Sequence, residues 1–177
     1  MTATRMTNYD RTMLRVMNDP RGRRLRATAA RRRSTVAAHV ALTAAIVALL
    51  THFCLSRAES TWAAVAVVVL LLPWMVAQGL INGATRGLLE LRERALDERQ
   101  LAERSQVLAR AHRATTVLLA VAVLGLFASG MADGDALRTY APPALAAGLV
   151  VHFLMPVWVA GLTARDEPAE DEPATLP

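Results

Sequence analysis

Four histidines and one cysteine are the side chains of this sequence best suited to acid–base, nucleophilic or metal chemistry. His152 lies near the middle of a long apolar stretch, where a polar side chain is costly and therefore marks a candidate functional group. Its imidazole suits two roles: a neutral ring that hydrogen-bonds to a neighbouring helix, or a group that responds to protons or contacts a ligand. We therefore take His152 as the candidate polar site within the apolar segments.

The other reactive side chains predict neither a catalytic residue nor a metal site. Cys54 is the only cysteine, and His52, two residues earlier, would point to another face of a helix. His52 and His152 are expected at different depths, with no carboxylate nearby to complete a metal site. The sequence also lacks the motifs of phosphate, dinucleotide, zinc-protease and serine-hydrolase chemistry. We therefore predict a chain that is not an enzyme and uses no cofactor.

Four apolar stretches are the elements that would position these side chains. Hydrophobic residues make up 54% of the 177-residue chain. Each stretch provides roughly the 20 apolar residues that a helix needs to cross a bilayer, and none contains an acidic or arginine side chain. The predicted fold is an all-helical, four-helix transmembrane bundle with cytoplasmic helical extensions. The predicted spans are residues 35–55, 61–81, 114–131 and 141–163.

The arginines give this bundle an orientation. Every basic residue is an arginine, a bias that we attribute to a GC-rich bacterial genome. Residues 1–34 contain ten arginines and the segment between the second and third spans contains seven, whereas the two other loops carry one each. Short arginine-rich segments stay in the cytoplasm. The sequence therefore predicts a bacterial cytoplasmic membrane protein with both termini cytoplasmic and with Trp62 and Tyr140 at the outer interface.

Two charged terminal segments flank the membrane domain, which covers residues 35–163. Residues 164–177 have the composition of a disordered acidic tail. Residues 1–34 form a basic segment that should bind anionic lipids of the cytoplasmic leaflet, at about 1 kcal/mol per arginine near the surface. Binding to nucleic acid is a less favoured explanation for these arginines, because the cytoplasmic location of the segment already accounts for its positive charge. The candidate lipid-binding residues are Arg23, Arg24, Arg26, Arg31, Arg32 and Arg33.

The second and fourth spans have similar endings. Pro73 is followed by Trp74, and Pro156 by Val157 and Trp158. In both spans Val-Ala then follows three and four residues after the proline. Two interpretations stay open: tandem duplication of a two-helix hairpin, which is an arrangement known in membrane bundles, or the similarity that all apolar helices share.

Residues 83–113 are predicted to form a cytoplasmic helical hairpin that turns near Asp97. Good helix formers continue from the second span through residues 88–96. Asp97 and Gln100 match a capping box, in which each side chain accepts the backbone N–H of the other residue. The helix that starts there could run unbroken into the third span. In the first half of the chain, Asp19 before Pro20 offers a similar start.

The turn of this hairpin contains a short sequence that resembles a known motif. The stretch Leu96-Asp97-Glu98-Arg99-Gln100, followed by spaced arginines and a membrane span, resembles a motif of small uncharacterised bacterial integral membrane proteins. Some of those proteins resemble partners of helix-turn-helix regulators, so the resemblance implies a regulatory association. The first repeat departs from the pattern at residues 18–21. The candidate partner-binding residues are Asp97, Arg99, Gln100 and Arg104, although a plain solvated charged face would have the same composition.

Three glycines at four-residue spacing lie at the cytoplasmic end of the second span. Gly79, Gly83 and Gly87 would let helices approach closely, either within the chain or between copies in a homo-oligomer. We therefore predict them as helix-packing residues.

The function that these patterns favour is a non-enzymatic regulatory or scaffold role, in which the cytoplasmic hairpin and the basic segment engage a cytoplasmic protein or lipid. The alternative is an oligomeric channel or transporter for a small solute. The absence of carboxylates from the spans argues against a proton-coupled exporter. The polar residues available to line a pathway are His39, His52, Gln78, Asn82 and His152.

Overall fold

The structure of the chain, a computed structural model, describes residues 6–17, 28–56, 61–132 and 134–164. Within these ranges the regular structure is helical, as predicted, and consists of five α-helices and one 3₁₀ turn at Glu93–Ala95. The α-helices are α1 (Asn8–Met17), α2 (Ala29–Leu55), α3 (Thr61–Ala84), α4 (Glu98–Ala132) and α5 (Gly134–Thr163).

Helices α2 to α5 are long and apolar enough to cross a membrane, and each contains one of the four predicted spans. Large apolar side chains cover their outer faces, among them Val68, Leu72, Val121, Leu124 and Phe127. Such faces would be unfavourable in water but match the hydrocarbon interior of a bilayer. The chain is a multi-pass membrane protein.

The four long helices form two hairpins, α2 with α3 and α4 with α5, and α5 joins the two by packing on α2 and α3. The buried core lies towards the end at which α2 and α4 begin, which we call the arginine-rich end. Gly161 of α5 sits there against Val36 and Ile81; an added Cβ would lie only 2.7 Å from Val36 Cγ2. The residues of this buried core are Val36, Ile81, Ala111, Met155, Val157 and Trp158.

Helix α4 runs without a break from the loop before it through the third predicted span, as the sequence predicts. Its start is the predicted capping box: the Gln100 N–H donates to Asp97 Oδ1 at 2.6 Å, and the Asp97 N–H donates to Gln100 Oε1 at 3.0 Å. These two bonds satisfy backbone donors that the first turn of a helix leaves unpaired. The first four turns of α4 therefore form a defined extension beyond the third predicted span.

The predicted first arm of the 83–113 hairpin is wrong. Helix α3 ends at Ala84, where the Gly87 N–H bonds to the Asn82 carbonyl and the Arg86 N–H bonds to the Gly83 carbonyl. This pair of bonds is the Schellman arrangement that closes a helix, and it places Arg86 and Gly87 at φ of 54° and 68°. Residues 85–97 consequently form turns and the short 3₁₀ segment, because the left-handed backbone at Gly87 overrides the helix propensity of the residues that follow.

Helix α2 begins at Ala29, capped by Thr28, whose hydroxyl accepts the Arg31 N–H at 3.4 Å. The alternative start that the sequence offered at Asp19 and Pro20 lies outside the described residues.

Candidate functional site

The exposed face of the α4 extension forms a groove with the end of α5. Its residues recur every three to four positions along α4, so they share one side of the helix. At the base of this side Val107 is buried in a small cluster with Ala160 and Leu88, which holds α4 against α5. We call this surface the α4 groove: Arg99, Ala102, Glu103, Gln106, Val107 and Arg110 of α4, with Thr163 of α5.

The charge of the α4 groove is net positive. Arg99, Gln106 and Arg110 are exposed, whereas Glu103 is half-buried and is the one carboxylate among the lining residues. Exposed guanidinium groups present planar, bidentate donors that fit carboxylates and phosphates. The groove can therefore bind an acidic group by charge-assisted hydrogen bonds.

Of the four predicted partner-binding residues, only Arg99 lines this groove. Asp97 and Gln100 bond to each other in the capping box. Arg104 donates from Nη1 to the Leu91 carbonyl at 3.0 Å and so fixes the loop before α4. The prediction did not include Gln106 and Arg110, although their spacing of seven and eleven residues from Arg99 places all three on one helical face.

The predicted lipid-binding arginines divide into three groups. Arg31 and Arg33 are exposed near the start of α2. Arg32 is buried, with 5% of its surface exposed, and its Nη2 donates to the Ala164 carbonyl at 2.6 Å. A cation there neutralises the negative end of the α5 dipole, so Arg32 has a helix-capping role that the prediction missed. Arg23, Arg24 and Arg26 lie outside the described residues.

Helix α1 docks on the loop between α3 and α4. Arg94 forms an ion pair with Asp10 at 2.7 Å, and the Arg92 guanidinium lies 5.3 Å from the centre of the Tyr9 ring. Hydrogen bonds from the Thr7 N–H and hydroxyl, with a smaller contribution from Arg94, lower the pKa of Asp10 from 3.8 to about 2. Asp10 is therefore ionised at neutral pH. The sequence treated this segment only as part of a basic tail.

In the membrane domain His39 is buried, whereas His152 is exposed. His39 is completely buried, and its Nδ1 accepts the indole N–H of Trp158 at 2.8 Å. The Trp74 ring lies 4.8 Å away, and its own N–H donates to the Thr43 hydroxyl at 2.9 Å. Because Nδ1 accepts this bond, the proton of the neutral ring is on Nε2, which has no hydrogen-bond partner among the described residues.

A pattern in the sequence could have identified this cluster. Val36, His39, Thr43 and Ile46 follow three-four-three spacing, which places two polar residues in the buried stripe of α2. The two proline-associated tryptophans then supply N–H donors from the second halves of α3 and α5. Both tryptophans belong to the endings that suggested a duplicated hairpin.

His152 instead faces outwards, next to an apolar groove between α4 and α5. Its ring packs beside Phe153 of the same helix, with 5.8 Å between the ring centres. The expected hydrogen bond to a neighbouring helix is not among the contacts of the described residues, so the proton-responsive or ligand-contacting role of His152 stays a prediction.

The polar residues required by the channel alternative are also dispersed in the described part of the chain. His39 is enclosed by Trp74 and Trp158, while His52 lies beside Trp62 at the end opposite the arginine-rich end. The Asn82 amide donates to Glu90 at 3.0 Å in the loop after α3. Gln78 is half-buried on α3. Of these residues, only His152 lines the apolar groove between α4 and α5.

The predicted packing glycines have different surroundings. A Cβ added at Gly79 or Gly83 would meet nothing within 4 Å, so neither supports a close approach within the described chain. Gly87 contacts the Met17 side chain of α1 and belongs to the turn that ends α3. The close helix approach occurs at Gly161, which the sequence analysis did not select.

Comparison of the chain with models of known protein families, with curated proteins and with solved structures finds no match. The resemblance of residues 96–100 to a motif of small bacterial membrane proteins therefore stays an expectation. Among the described residues, no group of three His, Cys, Asp or Glu side chains is arranged to hold a metal ion. Within the described residues, the α4 groove combines a concave shape with two exposed arginines.

Proposed function

We propose that this chain is a non-enzymatic regulatory or scaffold protein of the bacterial cytoplasmic membrane, and that it binds a soluble cytoplasmic partner in the α4 groove. The observation that carries the proposal is the pair of exposed arginines, Arg99 and Arg110, on a capped helix that extends beyond its membrane span. A rigid helix presents such side chains with a smaller loss of conformational entropy than a loop would.

The charge distribution supports a cytoplasmic orientation for the arginine-rich end. Arg31, Arg33, Arg92, Arg99 and Arg110 are all exposed at this end of the described chain. Trp62 and Tyr140 are more than half exposed at the opposite end, at the depth that aromatic side chains favour in a membrane interface. With this orientation the α4 groove faces the cytoplasm.

The expected partner has an acidic surface. Arginine binds carboxylates bidentately, and two arginines on one helical face would select a partner with acidic side chains at matching spacing. Arg31 and Arg33, on the first turn of α2, are placed to contact anionic headgroups beside it. Lipid and partner would then bind neighbouring but separate arginines.

Affinity purification from the native membrane in mild detergent tests this function. Wild type is compared with Arg99→Glu/Arg110→Glu and with Arg138→Glu, a charge reversal on the exposed surface near the opposite end. A soluble protein recovered with wild type and Arg138→Glu, but lost with the double variant, would support the proposal. Recovery of the chain alone as a defined homo-oligomer would favour the channel alternative instead.

A further inference from the structure

The end of α5 lies at the α4 groove. Thr163, the last residue of α5, lines the groove, and Ala160, one turn earlier, packs in one cluster with Val107 of α4. Ala164 is held in place by two hydrogen bonds: its N–H donates to the Ala160 carbonyl at 2.9 Å, and its carbonyl accepts from Arg32 at 2.6 Å. Ala164 is therefore a fixed attachment point next to the groove that Thr163, Arg99 and Arg110 line.

The charge of those residues is opposite to the charge of the groove. Residues 165–177 contain Arg165 and five acidic residues, Asp166, Glu167, Glu170, Asp171 and Glu172. Asp166 and Glu167 lie two and three positions after Ala164, so an extended chain carries them up to about 7–10 Å from that point. The whole segment reaches up to about 43 Å, whereas Arg99 and Arg110 are separated by about 16 Å along α4.

We propose that the acidic segment 165–177 is an intramolecular ligand of the α4 groove, held by its carboxylates on Arg99 and Arg110. Tethering favours this occupant over a separate acidic molecule, because a short tether gives an effective concentration in the millimolar range. Glu103 opposes the contact with its own negative charge and limits its strength. The contact is consequently weak enough to be displaced by a partner that binds more tightly.

If the segment docks, it can regulate partner binding, and this regulatory role rests on the proposed function. A docked segment covers the arginines that a partner needs, so partner binding has to displace the segment. Removal of residues 165–177 would then increase partner binding. Docking itself requires only the chain, so it can be tested without any partner.

Disulfide formation within the full chain, reconstituted in lipid nanodiscs, measures this docking. Cysteines are placed at Gln106→Cys and Ala169→Cys in a Cys54→Ser background, and the rate of intramolecular cross-linking is followed. The rate should fall about tenfold or more when Arg99→Glu/Arg110→Glu is added, because the effective concentration due to docking is lost. High salt should lower the rate as well, since screening weakens contacts between exposed charges.

Arg138→Glu serves as the matched control, because it reverses one exposed charge far from the groove and should leave the rate unchanged. A helical circular-dichroism spectrum shared by all variants establishes that they are folded. An equal rate in wild type and in the double variant would overturn the proposal. Cross-links predominantly between two copies would overturn it too, and would identify a second chain as the occupant. Neither result bears on partner capture by the α4 groove, which has its own assay.

Discussion

The indole N–H of Trp158 donates a hydrogen bond of 2.8 Å to Nδ1 of His39, joining α5 to α2 across 119 positions of the sequence. The Trp74 ring lies against the same imidazole at 4.8 Å, from helix α3. One buried histidine on the first hairpin thus meets a tryptophan from each hairpin. Together with the bond from Arg32 to the Ala164 carbonyl, this cluster makes polar contacts between the two hairpins beside an apolar core.

Trp158→Phe removes this hydrogen bond while keeping a large aromatic side chain. We expect it to lower the free energy of unfolding by about 0.5–2 kcal/mol, the range for a buried hydrogen bond between membrane helices. Trp62→Phe is the control, because Trp62 is 60% exposed and makes no such bond among the described contacts. Denaturation in detergent measures both variants. Equal stability of the two would show that the Trp158–His39 bond does not contribute.

Gly161→Ala tests the close approach of α5 to the first hairpin. The new Cβ would lie 2.7 Å from Val36 Cγ2 and 3.1 Å from Ile81 Cγ2, and both neighbours are stiff β-branched side chains. We expect a loss of about 1–3 kcal/mol in the free energy of unfolding, as for other overpacked cores. Gly79→Ala should be neutral for the monomer, since nothing lies within 4 Å of its added Cβ. The opposite ranking would contradict the packing described here.

These glycines show what sequence patterns can and cannot predict. The four spans, the fold class and the unbroken α4 followed from composition and length, because a chain that crosses a bilayer must do so in long apolar helices or a closed barrel. The capping box followed from two residues three positions apart. Close packing depends on which helix faces are brought together in three dimensions. Gly161 is therefore identifiable only in the structure, and the regular spacing of Gly79 and Gly83 pointed to the wrong place within the chain.

Asp97→Ala should fray the start of α4. The substitution removes the acceptor for the Gln100 N–H and costs about 1 kcal/mol of local stability. Hydrogen exchange in residues 98–101 should then be about fivefold faster, the factor that corresponds to this energy. Asp97→Asn is the matched control, because asparagine caps helices as well as aspartate does. Similar exchange in the alanine and asparagine variants would show that the cap does not hold α4.

Asp10→Asn should release α1 from the loop that precedes α4. The substitution removes the negative charge that pairs with Arg94 at 2.7 Å. Arg11 and Arg15 are exposed on α1, so trypsin should cleave there faster in the variant than in wild type. Asp135→Asn, a matched loss of an exposed carboxylate near the opposite end, should leave cleavage unchanged. Unchanged cleavage in Asp10→Asn would show that the ion pair does not retain α1.

The same contact predicts a defined pH dependence. The pKa of Asp10 is lowered to about 2 in the folded chain, below its ordinary value of 3.8. Its contribution to docking is therefore complete above about pH 4 and is lost as the pH falls towards 2. Between pH 5 and 8 this carboxyl should cause no change. A carbon-detected NMR titration of the Asp10 carboxyl measures the pKa directly, and a value near 4 would contradict the hydrogen bonds from Thr7.

The candidate site was predicted only in part, for a physical reason. Sequence identified the α4 extension and Arg99, because charge and helix periodicity are local properties. It assigned Arg32 to lipid and Arg104 to a partner, yet both arginines donate to backbone carbonyls outside their own helices. Such carbonyls become acceptors only after the chain has folded. Likewise, His152 and His39 both lie in apolar stretches, and only the packing of the helices decides which of them is buried.

The most direct test of the proposed docking role is photo-cross-linking in intact cells. A photoreactive amino acid replaces Gln106 in the α4 groove, with Leu145 on the exposed apolar surface as the control position. We expect a discrete covalent product with a soluble protein at position 106, absent at position 145 and lost in Arg99→Glu/Arg110→Glu. Truncation after Ala164 should increase its yield. No product at position 106, with or without the acidic segment, or a product that survives reversal of both arginines, would contradict the account.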